Sequence, residues 1–131
     1  MTQLQGSSSS AGGRLDGSLQ KATAVVGDFV LGAGWGTTPI VALTAGSTDQ
    51  RGELTITCDA TAAQATATVV HTYKDGAYAA APFSFVISTN DNAIDTGHVL
   101  LTTTTTTAAT WTYQILPVDT KVYIIRYCYI A

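Results

Sequence analysis

The chain has 131 residues and a net charge of −3, and 11% of its residues are charged whereas 46% are apolar. This length suits one domain with a core of its own. The six Lys and Arg are scattered along the chain, which disfavours direct nucleic-acid binding, and no apolar run approaches the roughly 20 residues of a membrane helix. The start MTQLQGSSSSAGG also lacks the features of a secretion signal, so we expect a protein made in the cytoplasm with no membrane partner.

Residues 1–22 differ in composition from the rest of the chain and are predicted to form a flexible N-terminal arm. They contain the Gly/Ser tract GSSSSAGG, which cannot bury enough surface to order itself. Leu15 and Leu19 follow at helical spacing, beside Arg14. Three interpretations stay open: a disordered tail, an arm that orders against a partner through these three side chains, and an expression-tag origin of SSSSAGG.

The first apolar segment, residues 24–31, is predicted to be a strand or an extended lead-in. The sequence GAGWG then resembles a phosphate-binding glycine loop only superficially, because Thr37, Thr38 and Pro39 lead into a strand and no helix follows. We expect a tight loop anchored by Trp35, which packs on the core or on a neighbouring subunit.

A β-hairpin is the clearest local prediction. Residues 40–44 are short and β-prone, residues 45–52 carry turn chemistry, and Leu54, Ile56 and Cys58 alternate with threonines on the return strand. Gly46 and Gly52 are expected to set the turn and Asp49 to cap its backbone. A receptor loop at Asp49, Gln50 and Arg51 is the alternative interpretation.

The same alternation recurs to the end of the chain. Strands are predicted at residues 65–73, 82–88, 98–104, 110–115 and 121–130, with the threonine run 102–107 forming a hairpin arm. In the second of these segments, residues 82–88, Phe83, Phe85 and Ile87 share one face. The last strand is apolar on both sides, which is typical of a strand that is central or lies at an interface.

About seven or eight strands and no convincing helix predict an all-β domain over residues 23–131. The pattern fits a small antiparallel β-sandwich, or a jelly-roll-like or β-tulip-like barrel. Because charged residues are scarce, threonines are expected on the outward faces, and sheet edges with little charge are expected to be buried in an oligomer.

The two cysteines, Cys58 and Cys128, fall within predicted strands, and we expect both as small buried side chains. A disulfide is disfavoured in a reducing compartment, and no Cys or His pair has the spacing of metal ligands.

No motif predicts catalysis, a metal site or a cofactor. Ser88, His98 and Asp95 form an imaginable triad without a nucleophile elbow, and Asp91 and Asp95 lack the ligand order of a calcium loop. His71 lies in the middle of a strand as another imaginable base. Trp35 and Trp111 are candidate sugar platforms, although at β spacing such side chains are more often core. We expect a protein that is not an enzyme.

The stretch GWGTTPIVALTAGSTDQRGELTIT, followed by ATATVVHTYKDGAYAAAPFSFVIS, resembles a recurrent β-domain of tailed-bacteriophage structural proteins. That family has a WG-T-P strand, a GS-D-RG turn, a T-V-T strand, a DG-Y-APF segment and a Thr-rich hairpin in the same order. The resemblance covers about residues 29–131 and brings no catalytic residue with it. It implies a small all-β unit that assembles as a trimer, in capsid decoration proteins, head fibres or tail-fibre modules.

From the resemblance we expect a virion protein on the capsid surface: a homotrimeric decoration, or cement, protein that binds the major capsid protein and stabilises the head. The alternative is a head-fibre or tail-fibre tip that binds a host receptor or glycan. Seven residues are predicted to contact the capsid or a neighbouring subunit: Arg14, Leu15, Leu19, Phe29, Trp35, Tyr123 and Tyr127.

Overall fold

The computed structural model describes residues 22–62, 66–74, 76–91, 100–114 and 116–131, and these residues form two four-stranded antiparallel sheets. The prediction of a small all-β sandwich is confirmed, and no α-helix occurs within the described ranges. The two sheets stay separate rather than closing into a barrel. No helix in this part of the chain is long and apolar enough to cross a membrane.

Eight strands make up the two sheets. In chain order they are β1 Phe29–Leu31, β2 Ile40–Leu43, β3 Arg51–Thr57, β4 Ala67–Thr72, β5 Phe83–Asp91, β6 Leu101–Thr104, β7 Ala108–Tyr113 and β8 Val122–Ile130. The first sheet has the order β1-β4-β7-β6, and the second has the order β2-β3-β8-β5. The predicted hairpin corresponds to β2 and β3, which pair from Ile40 with Thr57 to Leu43 with Leu54.

The core lies between the sheets and is rich in aromatic rings. Alternation along β8 turns Tyr123, Ile125, Tyr127 and Tyr129 inward, where all four are buried. Tyr127 meets Trp111 of the opposite sheet with ring centroids 5.3 Å apart. Tilted contacts of this kind add to the hydrophobic contribution of the buried area.

The last strand was expected to be central or at an interface, and β8 is indeed an inner strand, paired with β3 on one side and β5 on the other. The prediction for the cysteines is half right. Cys58 is buried, but Cys128 lies on the outward side of β8 and is only half-buried, because alternation places it opposite Tyr127 and Tyr129. Both are free thiols.

The loop after β1 is anchored by Trp35 as predicted. A 3₁₀ turn spans Ala33–Trp35, and the fully buried indole donates through Nε1 to the carbonyl oxygen of Thr68 at 2.9 Å. Gly36 follows with φ 110°, a backbone conformation that favours glycine. The loop therefore joins the first sheet to the segment that leads into β2.

The threonine run forms a hairpin arm, as predicted, and also contains the turn of that hairpin. The turn lies at residues 105–107, where the Thr105 hydroxyl accepts the backbone N–H groups of Thr107 and Ala108 at 3.2 and 3.1 Å. Ala108 already opens β7. The serine and threonine preference for such local bonds explains why the turn falls inside the run.

Candidate interaction surface

The two sheets present outer faces of different chemistry. On the outer face of the first sheet, the strand register places threonines side by side. Thr68 of β4 pairs with Thr112 of β7, and Thr110 of β7 lies between Val70 of β4 and Thr103 of β6. Thr103 is exposed and the other threonines are half-buried. The expectation of a threonine-rich outer face is therefore right for the first sheet.

The second sheet does not follow this pattern. Its outward side chains form what we call the apolar face: Ile40 and Ala42 of β2, Thr55 and Thr57 of β3, Val122, Ile124, Cys128 and Ile130 of β8, and Phe83, Phe85 and Ile87 of β5. Three charged residues, Arg51, Glu53 and Arg126, lie among them. The expectation of a threonine surface is wrong for this sheet.

The most exposed apolar side chains lie at two corners of this face. Phe83 and Phe85 are 80% and 64% exposed, and Ile130, which pairs with Phe83, is 58% exposed. Ile40 is 69% exposed at the opposite edge. At the corner of β5 and β8, Phe83, Phe85 and Ile130 lie side by side, and an exposed apolar patch of this kind marks an interaction site.

Phe83 and Phe85 point outward because the inward side chains of β8 already fill the core next to β5. The inner side of β5 carries Ser84, Val86 and Ser88, which pair with Tyr129, Tyr127 and Ile125. Since the large inward side chains of β8 already fill that space, small residues suit the inner side of β5. The two phenylalanines are consequently left outside.

The charged residues of the apolar face are largely satisfied within the chain. Arg126 Nε donates to Glu53 Oε2 at 2.6 Å, and the Thr44 hydroxyl donates to Glu53 Oε1 at 2.8 Å. These two hydrogen bonds, that of Arg126 first, hold the pKa of Glu53 below its ordinary value. Because both side chains are partly exposed, the pair adds little to stability and instead gives the face a locally neutral centre.

Of the seven predicted contact residues, four lie inside the subunit. Phe29, Trp35, Tyr123 and Tyr127 are buried, and each packs on aromatic neighbours of the core. Within the single subunit each of them is at most 5% exposed, so their contacts with the capsid or a neighbouring subunit stay a prediction. Arg14, Leu15 and Leu19 fall outside the described residues, as does the predicted arm up to residue 21.

Asp49, in the turn between β2 and β3, is not accessible to a receptor. Asp49 is fully buried, and its Oδ2 accepts the backbone N–H of Lys74 at 2.6 Å, so it ties the β2–β3 turn to the end of β4. Its Oδ1 lies 3.8 Å from His71 Nε2. The interpretation of Asp49 as a receptor-loop residue is therefore wrong, while Arg51 beside it is exposed.

His71 is a core residue rather than an accessible base. Its ring stacks on Phe29 with centroids 4.2 Å apart, and no part of it reaches solvent. Burial lowers its pKa to about 4, against the weaker opposing effect of the Asp28 carboxylate. The imidazole is thus neutral at pH 7 and closed to a substrate.

The imagined triad is not brought together in the described part of the chain. Ser88 is buried on the inner side of β5, and His98 and Asp95 lie outside the described residues. Among the described residues no group of three or more His, Cys, Asp or Glu could hold a metal ion. Trp35 and Trp111 are both fully buried, which removes them as sugar platforms.

The apolar face was missed as a site although two signals for it were present. One was the last strand, whose two apolar sides indicated an interface. The other was the alternation of Phe83 and Phe85 with serines, which separated two faces without showing which of them points inward. Comparison with models of known protein families, with curated proteins and with solved structures finds no match to this chain.

Proposed function

We propose that this chain is a structural virion protein of a tailed bacteriophage, and specifically a homotrimeric decoration protein that binds the major capsid protein on the outside of the head. The observation that supports the oligomer in this proposal is the apolar face. A soluble domain that leaves Phe83, Phe85 and Ile130 exposed side by side acts by docking to other protein chains. The resemblance of residues 29–131 to phage β-domains supplies the setting.

Such a protein stabilises the head by mass action. Anything that binds the assembled state and not the dissociated one shifts the equilibrium toward assembly. Three linked subunits raise the effective concentration of each contact, so weak contacts repeated around a trimer give firm attachment. In this proposal the N-terminal arm contributes part of the capsid contact.

The test is co-sedimentation of the full chain with expanded capsids of the phage that encodes it, compared with a variant that lacks residues 1–21. The truncation keeps Ala22, whose carbonyl oxygen accepts the N–H of Asp49 at 2.9 Å, so this contact with the β2–β3 turn is retained. We expect saturable binding by the full chain and weaker binding by the truncated one. Full-length protein that stays in the supernatant at every concentration would overturn the proposal.

Equal binding by both variants would remove the arm from the capsid contact while leaving decoration in place. An unchanged thermal midpoint of the truncated variant is the control that its domain is still folded.

A further inference from the structure

We infer that the apolar face is the contact between copies of this chain, so that the partner covering Phe83, Phe85 and Ile130 is a second molecule of the same protein. The inference rests on the proposed function, because it assigns a surface to the subunit contact that a trimer requires. It leaves the capsid contact to other parts of the molecule.

The size of the apolar face suits a contact with a second copy of the chain. Four strands about 4.8 Å apart, the longest with nine residues of about 3.3 Å each, give a face on the order of 500 Å². Two such faces together bury on the order of 1,000 Å², and three around one axis on the order of 1,500 Å². These values lie where specific protein interfaces begin.

The charge of the face also favours a copy of the chain over a charged partner. Its acidic group, Glu53, is already bonded to Arg126 and Thr44, so among the described residues of the face only the exposed Arg51 keeps a charge without an ion pair. A second apolar face of low net charge matches it, since sheet faces pack by interdigitating their side chains. The low net charge of −3 adds little repulsion between copies.

Cys128 provides a natural probe of this contact. It lies on the apolar face, paired with Phe85 across β5 and β8, and is only half-buried in the single subunit. The other cysteine, Cys58, is in the core, and burial raises its pKa to about 11, which keeps its thiol protonated and unreactive. Labelling by a maleimide reagent therefore reports on Cys128.

The experiment combines light scattering with maleimide labelling of the full chain and two double variants. Phe83→Ser with Phe85→Ser removes the exposed rings of the face. Val30→Ser with Leu101→Ser is the matched control, because these side chains are 61% and 58% exposed on the first sheet. Substitution at exposed positions leaves the core of each variant unchanged.

We expect the wild type and the control to have three times the 13.6 kDa mass of one chain, and the Phe83/Phe85 variant to have the mass of one chain. Labelling of Cys128 should be about tenfold slower in the wild type than in the Phe83/Phe85 variant, because reactivity follows access to the thiolate. Folding of each variant is checked by its near-ultraviolet spectrum, which reports the buried aromatic core.

Three results would overturn the inference. A wild-type monomer excludes a contact between copies, and a Phe83/Phe85 variant that remains a trimer places that contact elsewhere. Fast Cys128 labelling within a wild-type trimer shows that the face is open. Capsid co-sedimentation distinguishes failure of this inference from failure of the proposed function. If the Phe83/Phe85 variant remains a trimer but no longer binds capsids, the apolar face is a capsid contact and the inference fails while the proposed function stands.

Discussion

At the residue scale, three buried polar side chains are linked by hydrogen bonds across the core. Trp111 Nε1 donates to the Tyr129 hydroxyl at 2.9 Å, and that hydroxyl lies 3.0 Å from His71 Nδ1. Because the Tyr129 oxygen already accepts from Trp111, its own proton is available to His71 Nδ1. We therefore assign the proton of the neutral imidazole to Nε2, the atom that faces Asp49.

This arrangement predicts the cost of removing one hydroxyl. Tyr129→Phe leaves the Trp111 donor and the His71 acceptor buried without their partner, at about 1–3 kcal/mol for each group. We expect a loss of about 2–6 kcal/mol in the free energy of unfolding, measured by urea denaturation. Tyr78→Phe is the matched control, because the buried Tyr78 hydroxyl has no hydrogen-bond partner among the described residues and its removal should be neutral or stabilising. Equal losses in the two variants would contradict the hydrogen-bond assignment.

The pKa of His71 predicts a defined dependence of stability on pH. The folded-state value of about 4 lies below the ordinary 6.5, so between these values the unfolded chain binds a proton that the folded chain does not. Stability is thus lost as pH falls from 6.5 to 4, by up to about 3 kcal/mol from this residue, and no further below pH 4.

The measurement is urea denaturation of the wild type and of His71→Gln at pH 7, 5.5 and 4. The difference between the two should shrink as pH falls, since the variant lacks the titrating group. An NMR titration of the His71 ring with a midpoint at or above pH 6.5 would refute the prediction.

At the scale of elements, the β2–β3 hairpin shows what residue patterns can and cannot specify. Its strands and its turn were predicted from alternation and from glycines, and Gly46 does adopt the left-handed φ of 88°. Gly52 has a different role. It lies within β3, where a Cβ atom would be 2.6 Å from the Tyr127 hydroxyl oxygen and 2.5 Å from Ser47 Oγ. Half of that requirement comes from Tyr127, in a strand 75 residues later, which local residue patterns cannot show.

Gly52→Ala is therefore expected to destabilise the fold through a clash and not through backbone strain. Forcing a methyl group into this close contact should cost about 1–3 kcal/mol, measured as a lower urea midpoint. Gly27→Ala is the control, because nothing lies within 4 Å of a Cβ atom there and its stability should hardly change. Similar midpoints for the two variants would show that Ser47 and Tyr127 can move aside.

The difference between local sequence patterns and contacts with distant strands also explains which parts of the interaction surface could be predicted. Period-2 alternation divides β5 into a phenylalanine face and a serine face, but it cannot show which of them meets the core. That choice depends on the inward tyrosines of β8, which only the register of the paired strands brings opposite Ser84 and Val86. Likewise, Asp49 was placed in a turn correctly, while its burial against His71 depends on the packing of two sheets.

For the whole molecule, an apolar face covered by other copies makes folding depend on protein concentration. Stability of an assembly is linked to subunit concentration by mass action. For a trimer that dissociates as it unfolds, a tenfold rise in concentration adds about 0.9 kcal/mol per subunit, which corresponds to about 3–4 °C in Tm for a domain of this size. Differential scanning calorimetry of the full chain over a hundredfold range of concentration should show this rise.

The two double variants, one on the outer face of each sheet, are the controls for the dependence of Tm on concentration. The Tm of Phe83→Ser with Phe85→Ser should be independent of concentration, because its subunits no longer cover one another. Val30→Ser with Leu101→Ser should keep the wild-type slope, since these side chains lie on the first sheet. A wild-type Tm that stays constant across the range would mean that the domain folds alone and that the exposed phenylalanines do not link its stability to other copies.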